Sequence, residues 1–80
     1  MTLTELRYIV TLAREKHFGH AAERCHVSQP TLSVAVRKLE DELGVPLFER
    51  SKNSIQVTEI GRRIVDQAQR VLDQAGVIQA

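Results

Sequence analysis

The sequence predicts a mainly α fold: a winged helix-turn-helix of three helices plus a two-stranded wing, followed by a long linker helix. Three observations predict it. Apolar residues recur at helical spacing in four blocks, and only His26-Val27 separates the second block from the third. Two short β-prone runs then flank Ser51-Lys52-Asn53-Ser54, which has turn chemistry. Eighty residues suit one small domain with an economical core, since such a chain buries only about 60% of its unfolded surface.

The first helix rests on Leu3, Leu6, Ile9, Val10 and Ala13, with Thr2 or Thr4 available as amino-terminal cap. Phe18, Ala21, Ala22 and Cys25 give the second a single apolar side, and its alanines allow close approach to its neighbours. The third helix carries the stripe Leu32, Val36, Leu39 and Leu43, and Gly44 with Val45-Pro46 stops it. Its start is crowded with Ser28, Gln29, Pro30 and Thr31. Ser28 suits the cap and Pro30 the first turn, although Gln29, being the residue before proline, is a second cap candidate. Leu47–Arg50 and Ile55–Thr58 are the strand candidates, and Thr58 is the expected cap of a fourth helix from Glu59.

Composition narrows the function classes. An apolar fraction of 42% and a charged fraction of 26% describe a folded soluble protein. The single cysteine permits no internal disulfide, no apolar run reaches membrane-span length, and no secretory pattern opens the chain, so a cytoplasmic setting away from membranes is expected. A net charge of +1 does not announce nucleic acid, and over 28–57 four basic residues face four acidic ones. A polyanion would require the positive groups to be gathered on one surface. The run Glu40-Asp41-Glu42 is expected to be a solvated face turned away from it.

The third helix has a face its core does not use. Leu32, Val36 and Leu39 point inward, which leaves Thr31, Ser33, Val34, Arg37 and Lys38 for the outer surface. Short polar side chains around an exposed helix start, with basic residues one to two turns on, suit entry into a DNA major groove. The same start also makes sense as plain capping, and Arg50 and Lys52 as plain surface charge. The helix-turn-helix context favours the contact face.

The run from Ala21 to Ser33, continuing through Arg37-Lys38-Leu39-Glu40 and Leu43-Gly44-Val45 to Leu47-Phe48-Glu49-Arg50, resembles the amino-terminal domain of LysR-type transcriptional regulators. Val57-Thr58-Glu59-Ile60-Gly61 is similar to the opening of that family's linker helix. Within the family, His17-Phe18 and Cys25–Ser33 are most similar to the peroxide-responsive branch, which implies a regulator of the oxidative-stress response; the alternative is a member responding to a small-molecule effector. The resemblance implies double-stranded DNA binding by residues 1–58 and dimerisation through 59–80, with a tetramer in the full-length protein. It also implies a carboxy-terminal effector-binding domain that this chain does not contain. Carried over by position, Gln29, Pro30, Thr31, Ser33 and Val34 match the recognition-helix contacts, and Arg50, Lys52 and Asn53 match the wing. Ser28, Arg37 and Lys38 complete the expected contact set. Many members carry arginine where Val34 stands and a basic residue where Asn53 stands. Val34 could instead pack on a thymine methyl, and with Asn53 in place of a basic residue the wing would reach the minor groove with Lys52 alone.

In the last helix Ile64, Ala68, Val71, Ala75 and Ile78 are spaced 4, 3, 4, 3, with Val65 and Leu72 widening the stripe. Positions 59–79 would make a rod about 30 Å long, too much apolar edge for one small domain to cover. A homodimer through Ile64, Ala68, Val71, Leu72, Ala75 and Ile78 is expected, and with it a pseudo-palindromic operator. A protein-interaction module without DNA binding is the contrasting reading. His17, His20, Cys25 and His26 lie close together, but adjacent Cys25 and His26 rarely serve one tetrahedral ion. No metal, cofactor or catalytic grouping is expected, and Cys25 is taken as a structural thiol on the packing side of its helix.

Overall fold

The computed structural model describes residues 1–51 and 54–79. Lys52 and Asn53, expected at the wing tip, lie outside the described residues, as does Ala80. Helices α1 (Leu3–Glu15), α2 (Phe18–Cys25) and α3 (Gln29–Leu43) precede strands β1 (Phe48–Ser51) and β2 (Ser54–Val57), and α4 (Glu59–Gln79) follows. The strands form one antiparallel pair, with Phe48 opposite Val57 and Arg50 opposite Ile55. This is the winged helix-turn-helix with a long final helix.

Local chemistry sets the helix ends. Thr2 caps α1 in a reciprocal box with Glu5, each side chain pairing the other's backbone N–H at 3.1 and 2.8 Å. Lys16 and His26 close α1 and α2 in the left-handed conformation, at φ 55° and 58°, and Gly44 closes α3 at φ 74°. His17, the cap of α2, accepts the His20 N–H on its Nδ1 at 3.1 Å.

Leu6, Ile9, Val10 and Leu12 of α1, Ala21 and Ala22 of α2, and Leu32, Val36 and Leu39 of α3 meet in one core. Leu47, Phe48, Ile55 and Ala68 complete it, so the wing root and α4 belong to the same packed unit.

Both strands lie one residue from their expected bounds. The sequence pattern started β1 at Leu47 and ended β2 at Thr58, but only one of the two ladder bonds between them forms, because the Leu47 N–H and the Thr58 carbonyl have partners in the helices. Leu47 donates its N–H to a Glu40 carboxylate oxygen at 2.7 Å, and its carbonyl accepts from the Thr58 N–H at 3.0 Å. Thr58 is the cap of α4: its hydroxyl accepts the Gly61 N–H at 2.9 Å and donates to the Pro46 carbonyl at 2.8 Å. A Cβ on Gly61 would run into the Leu47 carbonyl oxygen and come within 2.8 Å of the Thr58 hydroxyl. Glycine is what lets α4 dock this closely on the wing root.

The expectation of a solvated acidic run is corrected. Glu40 is drawn inward by the two unpaired N–H groups that open β1, donating from Leu47 at 2.7 Å and Phe48 at 3.2 Å. Glu42 pairs with the amino-terminal amine at 2.7 Å and raises that amine's pKa, chiefly through the hydrogen bond. Asp41 and Glu42 both stay exposed, so the correction falls on Glu40 alone.

Candidate nucleic-acid interface

The helix start that looked crowded resolves into a cap and a presented face. Ser28, in extended geometry, accepts the Thr31 N–H at 3.2 Å and donates to the Thr31 hydroxyl at 2.8 Å. The cap is therefore Ser28 rather than Gln29. Gln29 is the first helical residue, and Pro30 follows where its missing N–H has no partner to lose.

Behind this start Leu32, Val36 and Leu39 are fully covered. In front, Pro30, Val34, Arg37 and Asp41 follow one another along a single ridge at spacings of 4, 3 and 4 residues, all exposed. Val34 is 68% exposed, high for a valine in a folded domain. One flank of the ridge carries Gln29 and the partly buried Ser33, facing the wing. The other carries Thr31 and Lys38, which border a shallow groove of about 480 Å³ shared with Glu5 of α1. Asp41 ends the ridge about 16 Å from Pro30 along the axis, so the surface suited to a polyanion is confined to the first turns. The structure thus brings Ser28, Gln29, Pro30, Thr31, Ser33, Val34, Arg37 and Lys38 onto one strip.

Arg50 borders that strip across a cleft it shares with Gln29. Strand parity places it on the same side as Phe48 and Ile55, toward the body of the domain. Its guanidinium lies 5.0 Å from the centre of the Phe18 ring and 3.7 Å from a Glu40 carboxylate oxygen. A cleft of about 360 Å³ between wing, α2 and α3 is lined by Lys16, His17, Phe18, Gln29, Arg50 and Ile55. Sequence reasoning missed Glu40. The signal available was its place four residues before Gly44, at the end of α3 that faces the strand to come.

The apolar seam of α4 divides between two surroundings. Ala68 is only 3% exposed and packs in the domain's own core, with Ile64, Val65 and Leu72 partly buried beside it. It is therefore not an open surface for a second helix, because α1 already covers it. Val71, Val77 and Ile78 stay exposed, Ile78 at 87%, and Ala75 is partly covered. A straight helix drifts against a 3.5-residue repeat, so the stripe that starts on α1 rotates away from it toward the far end. Cys25 is a partly buried free thiol, and the ring of His17 stacks on His20 at 4.1 Å. Among the described residues no helix is long and apolar enough to cross a membrane.

Helix, tight turn, presented helix and wing are the parts of a bacterial regulatory protein of the helix-turn-helix type, and the model of the lysR family of these proteins matches residues 3–62. The chain belongs to that family. Over 78 residues it is 51% identical to the DNA-binding transcriptional dual regulator OxyR of Escherichia coli K12, covering 98% of this chain and 26% of that protein. It superposes with a TM-score of 0.95 on a full-length OxyR structure from Pseudomonas aeruginosa, at 72% identity, covering 99% of this chain and 27% of the other. The DNA-binding domain of CbnR, solved as a DNA complex, gives a TM-score of 0.94 at 37% identity, covering 99% of this chain and 91% of that one. The chain spans about a quarter of the length of its OxyR relatives.

Proposed function

We propose that this chain is the operator-binding part of an OxyR-like transcriptional regulator, with residues 1–58 as the DNA-binding domain and 59–80 as linker and dimerisation helix. The observation that carries this reading is the exposed ridge and flanks at the start of α3, on a domain that superposes on the CbnR–DNA complex. In this reading Gln29, Pro30, Thr31, Ser33 and Val34 meet base edges in the major groove. The amino terminus of α3, capped by Ser28, and the cations Arg37 and Lys38 meet phosphates. Arg50, Lys52 and Asn53 are the proposed wing contacts to the backbone and minor groove.

Two copies joined through the exposed end of α4, with Val71, Ala75 and Ile78 at the contact, would present two such helices to successive major grooves. A cytoplasmic peroxide-responsive regulator, tetrameric when whole, is the corresponding reading of the full protein; relatives named as hydrogen peroxide-inducible genes activators support its peroxide part. Selection of duplexes from a random pool tests the DNA reading. Two inverted half-sites, centred about one helical turn or a multiple apart, are the expected outcome. A pool that shows no enrichment contradicts it and favours a docking module built on α4.

A further inference from the structure

We propose that Glu40 is a positioning residue of the nucleic-acid interface: its carboxylate sets the wing against the recognition helix and restrains the charge of Arg50. The inference rests on the DNA-binding reading and adds a control element to it. Glu40 follows Ser33 by seven residues and Gln29 by eleven, so it shares their flank of α3, the flank that faces the wing.

One of its oxygens accepts from the backbone N–H groups of Leu47 and Phe48, at 2.7 and 3.2 Å, and so clamps the start of β1. The other lies 3.7 Å from the Arg50 guanidinium, while the Phe18 ring closes the opposite side at 5.0 Å. The side chains are only 15% and 31% exposed, which shields the pair from salt better than an open surface pair. The wing's arginine is therefore held by α2 and α3 together. It acts as a strut between wing and recognition helix and offers a phosphate less than its full charge. Geometry shared with the base-reading flank favours the right duplex, and restraint of a cation limits attraction to every duplex.

Removing the restraint has a consequence that simple loss of folding would not produce. Glu40→Gln keeps a carbonyl oxygen for the Leu47 and Phe48 N–H groups but releases Arg50. The measurement is the dissociation constant of the 80-residue chain for its selected operator and for an unrelated duplex of equal length, at 50–200 mM salt. One released cation steepens the salt slope on the unrelated duplex by about 0.9, which corresponds to about threefold tighter binding at the low-salt end. Operator affinity stays level, so discrimination falls about threefold. In an Arg50→Gln background the same Glu40→Gln change should add nothing to the slope.

Equal gains in both backgrounds would overturn the proposal, because they would reflect only the lost negative charge. An unchanged slope and unchanged discrimination in Glu40→Gln would overturn it as well. If wild type itself ignores all duplexes, it is the DNA reading that falls. A readout needing no variant is the Arg50 Nε–Hε order parameter in wild type. It should exceed those of Arg37 and Arg62, and parity with them would contradict the strut.

Discussion

Gly61→Ala should loosen the joint between the wing and the long helix, and the structure gives the size of the effect. A new Cβ at this position meets backbone, the Leu47 carbonyl, rather than a side chain that can swing away. Leu47 is itself held by Glu40 through its N–H and by Thr58 through its carbonyl, so it has little room to retreat. Overpacking of this kind costs about 1–3 kcal/mol, and disturbing the Gly61–Thr58 cap bond adds about 1 kcal/mol. Alanine returns about 1 kcal/mol through its better helix propensity, leaving a net loss of about 2 kcal/mol. For a domain of this size that lowers Tm by about 8–16 °C.

Gly76 supplies the internal control. It lies in the same helix, nothing stands within 4 Å of its would-be Cβ, and Gly76→Ala should raise stability by up to about 1 kcal/mol. Thermal unfolding of both variants by circular dichroism is the assay. Two glycine-to-alanine changes in one helix should move Tm in opposite directions. If Gly61→Ala is neutral or stabilising, the close docking of α4 on the wing root is refuted.

Other substitutions test other parts. Thr58→Val removes the α4 cap and the bond to the Pro46 carbonyl, and should cost about 1–2 kcal/mol in chemical denaturation. Leu32→Ala, fully buried behind the presented ridge, should cost about 2–5 kcal/mol in the same assay. Thr31→Ala and Ser33→Ala should shift preference among duplexes at little cost in stability, and equal loss on every duplex would remove both from base readout. Val71→Glu puts a charge on the exposed half of the α4 stripe and should give monomers in sedimentation. An unchanged dimer would move the contact elsewhere.

The helices were legible because each buries one stripe at a period its sequence shows. Leu32, Val36 and Leu39 declare the inner side of α3, and Thr31, Ser33, Val34, Arg37 and Lys38 follow as its outer surface without further information. The cap register was not legible. Ser28 and Gln29 both fit, and only the hydrogen bond from the Thr31 N–H selects Ser28. The strand bounds slipped because β propensity at Leu47 and Thr58 says nothing about partners outside the ladder. Long-range polar contacts were invisible for the same reason. Residue type in Glu40-Asp41-Glu42 does not separate the carboxylate that turns inward from those that stay in water; only Glu40's place four residues before Gly44 hints at it. Arg50 was half legible, since alternation from the buried Phe48 already places it on the inner side of β1. The α4 seam was visible as a stripe, but which half α1 would cover depends on the packing of two distant segments.

The central claim is that the first turns of α3 meet a DNA duplex, and the salt dependence of binding tests it most directly. Fluorescence anisotropy titrations of a labelled operator duplex between 50 and 200 mM salt should give a log–log slope clearly below zero. Arg37→Ala should reduce its magnitude by about one unit. Flat binding across that range, or a slope indifferent to Arg37, would contradict the account.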